Sequence, residues 1–189
     1  MDVRSLAYVV IESTEPQQWL DYGTNILGLM IAPTMPNDGN VYLKMDTRPY
    51  RFAVVKSDQN RLAYCGWELA DEAGFTAAKA ELQAAGVAFE EASAADAKAR
   101  RVRGLIRLQD PSDNGLELFW GGELDYAKFI SPKGISGFET GFNGDMGFGH
   151  AVLPAAKLVE THNFYKDVLG FGDSDYMHFQ FSPDPDDPG

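Results

Sequence analysis

Gly147-Phe148-Gly149-His150-Ala151-Val152-Leu153 decides how this chain is read, because it restarts the sequence with which the chain opens. Phe148-Gly149-His150-Ala151-Val152 lies over Leu6-Ala7-Tyr8-Val9-Val10 at an offset of 142 (150 − 8). The same offset sets Leu169-Gly170-Phe171 on Leu27-Gly28-Leu29, and Phe164 on Tyr22. A further copy starts at Leu62-Ala63-Tyr64, 56 residues after Leu6 (62 − 6), and runs to Ala85-Gly86-Val87. Similarity that returns in fixed order marks a reused supersecondary module. One difference between the copies carries chemistry: the first two have Tyr8 and Tyr64 where the third has His150.

Module one, residues 1–58, predicts a strand over 6–11 and then a helix with Pro16 in its first turn, where a missing N–H costs nothing. Trp19, Tyr22, Ile26 and Leu27 recur at helical spacing, Gly28 is a stop signal, and short strands follow near 29–33, 41–45 and 51–55. Module two, residues 59–122, repeats the order. Its strand over 62–69 leads to a helix capped by Asp71, with Phe75, Ala78, Leu82 and Ala85 on its apolar face. Gly86 ends that helix, and strands are expected near 87–89, 102–108 and 115–120. Asp110-Pro111-Ser112-Asp113-Asn114-Gly115 is a turn joining the last two.

The fold class that follows is α+β: paired βαβββ modules forming a half-open barrel, plus an incomplete third module. Residues 123–145, rich in Gly, Pro and Ser without a clear period, read as a linker. Residues 146–189 hold a strand through Leu153, a helix carrying Leu158, Tyr165 and Leu169 up to Gly170, and a strand near 175–181. Two further strands and a partner module are missing from that third unit, which is therefore expected to be mobile, docked on the first barrel, or exchanged between subunits.

The chain has 189 residues, 44% of them hydrophobic and 12% aromatic, enough for a real core. Its net charge of −12, from 16 Lys and Arg against 28 Asp and Glu, argues against nucleic acid and anionic membrane as partners, since both call for a basic surface. Apolar runs such as 7–11 are far short of a membrane span, and Met1-Asp2-Val3-Arg4 is no secretory signal, so a cytoplasmic location is expected. Cys65 stands alone in an apolar run, which suggests a buried thiol and excludes an intramolecular disulfide.

The paired strand-helix-strands units resemble the vicinal oxygen chelate superfamily. More narrowly, the chain resembles a type I extradiol catechol dioxygenase of the 2,3-dihydroxybiphenyl 1,2-dioxygenase kind, N-terminal portion only. The segments that carry this are Leu62-Ala63-Tyr64, Leu105-Ile106-Arg107-Leu108-Gln109-Asp110-Pro111, Gly115-Leu116-Glu117-Leu118-Phe119-Trp120, Ser136-Gly137-Phe138-Glu139-Thr140-Gly141 and Phe164-Tyr165-Lys166-Asp167-Val168-Leu169-Gly170-Phe171. The resemblance implies ring cleavage of a catechol or dihydroxybiphenyl-like substrate with Fe(II) and dioxygen, Mn(II) being the alternative ion, in a homo-oligomer. It makes residues 146–189 the incomplete start of a C-terminal catalytic domain. His150 matches the first of two His and one Glu that hold the metal, the other two lying in a fourth module. A facial set of this kind leaves adjacent positions open for two oxygen ligands side by side. Val152, two residues on along the strand, points to the face of His150 and would line the substrate side, against an ordinary core role. With one ligand of three, the chain itself is expected to be a truncated, inactive form.

Other candidates weigh against this frame. Glu117 sits where an active module pair keeps its carboxylate ligand, but Tyr8 and Tyr64 stand at the His positions, and a phenol stays protonated at neutral pH. The first barrel is thus expected to be metal-free, with Glu117 hydrogen-bonded inside. An alternative function is a small-molecule binding module of the bleomycin-resistance or glyoxalase-like type, using a cavity at Tyr8, Tyr64 and Glu117. A glyoxalase-like isomerase or lyase would need His at those Tyr positions. His162 falls mid-helix at the place of Leu20, and His178 on a strand without ligand spacing; packing or surface roles are expected for both. Trp19, Tyr22 and Phe75 read as core aromatics. The basic run Lys98-Ala99-Arg100-Arg101-Val102-Arg103 reads as a solvated hairpin or a subunit contact.

Overall fold

Strand β1 (Val3–Ser13) is flanked on both sides, by β4 (Phe52–Lys56) running parallel and by β5 (Arg61–Leu69) running antiparallel. A strand covered on both faces reads as a continuous apolar run, as Leu6-Ala7-Tyr8-Val9-Val10 does. The computed structural model describes residues 1–138 and 149–177. Within them one sheet of eight strands has the order β2 (Met30–Ile31), β3 (Val41–Lys44), β4, β1, β5, β8 (Gly115–Trp120), β7 (Gly104–Gln109), β6 (Phe89–Glu91). The two βαβββ modules are thus joined edge to edge through their first strands, giving the α+β architecture and open, curved sheet that the repeat predicts.

The register of that joint follows the repeat. Val9 pairs with Cys65, its own counterpart 56 residues on (65 − 9), while Tyr8 pairs with Gly66 and Val10 with Tyr64. Exchanging the two strands leaves the pairing unchanged, so a local two-fold axis passes through Val9 and Cys65. Register shifts on either side leave one extra residue in each strand, Ala7 and its counterpart Ala63. Bulges bend strands and increase twist, which coils the sheet towards a barrel. Gly66 is required at the joint, because a Cβ there would fall on the Tyr8 ring.

Helix α2 (Glu72–Ala84) is capped by Asp71, which accepts from the Gly74 N–H at 2.8 Å, and buries Phe75, Ala78 and Leu82 against the outer face of module two. Helix α1 (Gln18–Asp21) is shorter than predicted and continues as a π-helical turn over Tyr22–Ile26. The third copy does the same: α4 (Leu158–Asn163) passes into a π-helical turn over Phe164–Val168, at the repeat offset of 142 (164 − 22). Both end on a glycine of positive φ, Gly28 at +71° and Gly170 at +81°, a conformation costly for any side chain.

Several expectations are corrected. A π-turn carries one extra residue and breaks the 3.6 period, so the apolar face of α1 is not that predicted. Of the four residues expected there, Trp19 and Leu27 do pack, with Leu20, on Leu29, Val41, Leu43 and Val54, whereas Tyr22 is 46% and Ile26 67% exposed. Leu158 is likewise exposed, while Phe164 and Leu169 are buried in the core of module two. Residues 149–153 run as a chain without strand pairing, and so do 175–177; the remainder of both predicted strands, with His178, lies outside the described residues. Helix α3 (Ala94–Ala99), capped by Ser93 accepting from the Asp96 N–H at 3.1 Å, was not foreseen because it is short and alanine-rich. The chain after β8 lies against module one: Lys44, wholly buried, donates to the Asp125 carbonyl at 2.9 Å, and Ser131 Oγ donates to the Gly28 carbonyl at 2.7 Å.

Gly66→Ala should lower stability by about 1–3 kcal/mol, the usual range for forcing a methyl group into a packed core. Urea unfolding followed by intrinsic fluorescence reads it; an unchanged midpoint would mean that the Tyr8 ring does not sit against this joint.

Candidate functional site

The interior of the first barrel is built around one carboxylate. Glu117, on β8 between β5 and β7, is fully buried. Its Oε2 accepts from Tyr8 Oη at 2.7 Å and from Arg100 Nε at 2.9 Å, and its Oε1 accepts from Arg107 Nε at 3.0 Å. Arg107 faces Glu117 directly across β7 and β8, and its Cζ lies 5.8 Å from the ring centroid of Tyr64. Burial first, then the Glu117 charge, pushes the Tyr8 phenol well above its ordinary 10.0, so it is a fixed donor. Burial works against the charge on Arg100, and the Glu117 carboxylate outweighs it, holding the guanidinium above its ordinary range.

This arrangement decides what the interior can do. Both carboxylate oxygens are engaged by donors, and two guanidinium groups would repel an approaching divalent cation. The rings of Tyr50 and Phe119 stand 5.4 and 5.3 Å from that of Tyr8, leaving a cavity of about 20 Å³. That is room for about one water. The cluster is a structural clamp, and the space beside Tyr8 is too small for a ligand larger than water. Tyr8 and Glu117 come together as their positions suggested, whereas Tyr64 stands beyond Arg107.

Arg100 and Arg107 are the residues that sequence reasoning missed. Arg100 is not on a solvated hairpin: it caps α3 and turns inward onto Glu117. The signal for Arg107 was available, since folding the hairpin about the 110–114 turn sets 109 against 115 and 107 against 117.

His150 and Val152 lie together on the other side of the sheet. Both are exposed, Val152 by 86%, whereas Ala151 and Leu153 pack on Leu6, Val9 and Cys65 beside the two-fold axis. Exposure alternates as along a strand, so His150 and Val152 share the face turned away from the barrel. Among the described residues no three His, Cys, Asp or Glu side chains gather as a metal site. His150 fits as one imidazole donor, and the described residues do not complete a set around it.

The segment that follows is held by polar contacts to the β7–β8 turn. Asn114 Nδ2 donates to the Pro154 carbonyl at 2.8 Å, the Lys157 N–H to Ser112 Oγ at 3.0 Å, and Tyr165 Oη to Asp110 Oδ2 at 3.2 Å. Ser112 Oγ also meets Thr161 Oγ1 at 2.7 Å. Asp110, nearly buried, is itself oriented by the N–H groups of Ser112 and Asn114. His162 has a surface role: its Nε2 is 2.7 Å from Asp173 Oδ1, and Lys166 and then His162 draw the Asp173 carboxyl down to about 2. Cys65 is buried, and burial, then Asp110, raises its thiol to about 11.

Residues 6–56 match a family model described as dihydroxybiphenyl dioxygenase BphC D1. An iron-dependent extradiol dioxygenase of Rhodococcus jostii is 40% identical over 177 residues, which is 94% of this chain and 57% of that protein. A biphenyl-2,3-diol 1,2-dioxygenase of Paraburkholderia xenovorans is 36% identical over 97% of this chain and 60% of its own length. The crystal structure of BphC, a halotolerant catechol dioxygenase, superposes with a TM-score of 0.83 at 31% identity, covering 90% of this chain and 56% of that one. This chain therefore spans under two thirds of the relatives it matches.

Two outcomes are expected. Glu117→Gln leaves two guanidinium groups short of their buried counter-charge and should cost about 3–5 kcal/mol, measured by urea unfolding; a loss under about 1 kcal/mol would show the cluster to be solvated. Ser112→Ala combined with Asn114→Ala should speed hydrogen exchange of residues 154–169 while 61–69 stay protected. Equal acceleration of both segments would mean that the turn holds the whole fold and not this segment.

Proposed function

The chain belongs to the family of extradiol dioxygenases, and from that membership we propose that it forms part of a ring-cleaving enzyme acting on a catechol or dihydroxybiphenyl-like aromatic with dioxygen. Residues 1–122 are the first barrel, 123–145 the linker, and 146–189 the opening of the catalytic domain. The metal is Fe(II), with Mn(II) as the alternative, and His150 is one of its ligands. The observation that carries the reading is that His150 projects away from the first barrel on a segment whose other side is anchored to it, where the first two copies carry Tyr.

Fe(II), when bound, supplies adjacent open positions at which a catecholate and dioxygen are brought together. The chain's own part is to present a neutral imidazole at His150 and an apolar wall at Val152 beside it. Ala151 and Leu153 fix the level of the segment, and the β7–β8 turn fixes where it passes into α4. The complete protein is expected to be a cytoplasmic homo-oligomer.

The space beside the Tyr8 ring, about 20 Å³, is small for the ligand that the binding-module alternative calls for. In the complete enzyme His150→Ala should reduce iron retention and oxygen uptake with a catechol by more than about 100-fold. Loss of a residue that merely orients a ligand already costs about 10–100-fold. Iron is counted by chelator assay and oxygen by electrode; unchanged values would sink the assignment of His150.

A further inference from the structure

We propose, on the reading of His150 as a metal ligand, that Asp110 is a positioning residue for the metal. Through Asn114 it fixes the carbonyl of Pro154, and with it where the segment bearing His150 stands on the first barrel.

The two modules use equivalent carboxylates differently. Phe52 pairs with Val9 as Leu116 pairs with its counterpart Cys65, so β4 lies on β8 at an offset of 64 (116 − 52). At that offset Asp46 lies on Asp110 and Arg51 on Gly115. The first oxygens behave alike: Asp46 Oδ1 accepts from the Arg48 N–H at 2.9 Å, and Asp110 Oδ1 from the Ser112 N–H at 2.8 Å. The second oxygens do not. Asp46 Oδ2 takes the guanidinium of Arg51, which also donates to the Ala7 carbonyl at 2.7 Å, both partners lying in module one. Module two has no room for such a side chain, because a Cβ on Gly115 would stand 2.1 Å from the Ala63 oxygen. Asp110 Oδ2 accepts instead from Asn114 Nδ2 at 2.8 Å and from Tyr165 Oη at 3.2 Å, the latter in the third copy. A bond kept inside one module has become a tie between copies.

Asn114 carries that tie to the segment of His150. Its Nδ2 has two hydrogens, one on Asp110 and the other on the Pro154 carbonyl at 2.8 Å. A carboxylate and a carbonyl only accept, so the amide can stand one way round. Pro154 is four residues from His150 (154 − 150). Between them Ala151 and Leu153 rest on Leu6, Val9 and Cys65. That contact is apolar and non-directional, so it sets the depth of the segment and not its position along the strands. The hydrogen bond to Pro154 is directional and sets the position. Asp110 is 3% exposed and accepts from four donors, so it is saturated and shielded from water. Burial, then the Asp110 charge, raises the Tyr165 phenol, which therefore stays a donor.

Iron binding by variants of the complete enzyme tests this. Asp110→Asn keeps an oxygen for the Ser112 and Asn114 N–H groups but sets an amide against Asn114 Nδ2. Iron affinity, read by chelator competition, should fall about 10–100-fold, the usual effect of losing a group that orients a ligand. The ligand-field spectrum of the iron that remains bound should change as well. Asn114→Ala should do the same, and the double variant little more than either, as for residues acting in one relay. Tyr165→Phe, which keeps the ring, should move both readouts the same way by less. Urea unfolding is followed in parallel. A lower midpoint with unchanged iron affinity and spectrum in Asp110→Asn and Asn114→Ala would make Asp110 a turn residue only and overturn the proposal; so would additive losses in the double variant. His150→Ala separates the two readings. Iron retained in that variant counts against the ligand assignment, and the proposal falls with it; iron lost there but kept in Asp110→Asn counts against the proposal alone.

Discussion

The antiparallel pairing of β1 with β5 is the joint on which the other features depend. Because each strand lies against its own repeat, the pairing fixes three things together. It carries β4 and β8 to the flanks as parallel neighbours, and it sets matching bulges at Ala7 and Ala63 that curve the sheet. It also brings Tyr8 over Gly66, so that a phenol reaches the middle of the barrel. A slip of one residue would turn every side chain of one strand to the opposite face and separate Tyr8 from Glu117.

Symmetry of the backbone is not matched by symmetry of the chemistry. Val10 pairs with Ala53 on β4, and its counterpart Gly66 pairs with Glu117 on β8, so a methyl group in one half answers a carboxylate in the other. Across the next pair of strands Tyr42 faces Ala53 as Arg107 faces Glu117. One half is closed by aromatic packing, the other by a charged clamp. A buried ion pair of this kind contributes little net stability over a well-packed apolar equivalent, but removing one member is expensive. The clamp therefore specifies a single arrangement of the interior rather than adding strength to it.

Much of this was legible in the sequence because repetition is a strong signal. The pairing of two like modules follows from the repeat, and the cap at Asp71, the stop at Gly86 and the burial of Phe75, Ala78 and Leu82 follow from period and turn chemistry. The π-helical turns did not: Tyr22 and Ile26 satisfy the helical spacing, and nothing local announces an extra residue in the turn. Arg100 was hidden for a different reason. Its charge cluster looks like solvated surface until α3 is known, and only the cap at Ser93 hinted at that helix. The outward pairing of His150 with Val152 rests on alternation, a short-range property that holds even though residues 149–153 join no sheet. Their contact with Leu6, Val9 and Cys65 is long-range and leaves no trace in spacing.

That contact has a kinetic side. Every strand of the barrel has been synthesised once Trp120 has emerged, yet the outer-face patch of Leu6, Val9 and Cys65 is covered by residues as late as Leu153. The intervening 33 residues (153 − 120) correspond to about 2–7 s at a translation rate of about 5–20 residues per second. For that interval a nearly complete barrel carries an apolar strip along its central strands beside a nascent chain still tethered to the ribosome. The abundance of acidic side chains keeps neighbouring copies apart. Order of synthesis, and not final stability alone, thus sets when this protein is most exposed to aggregation.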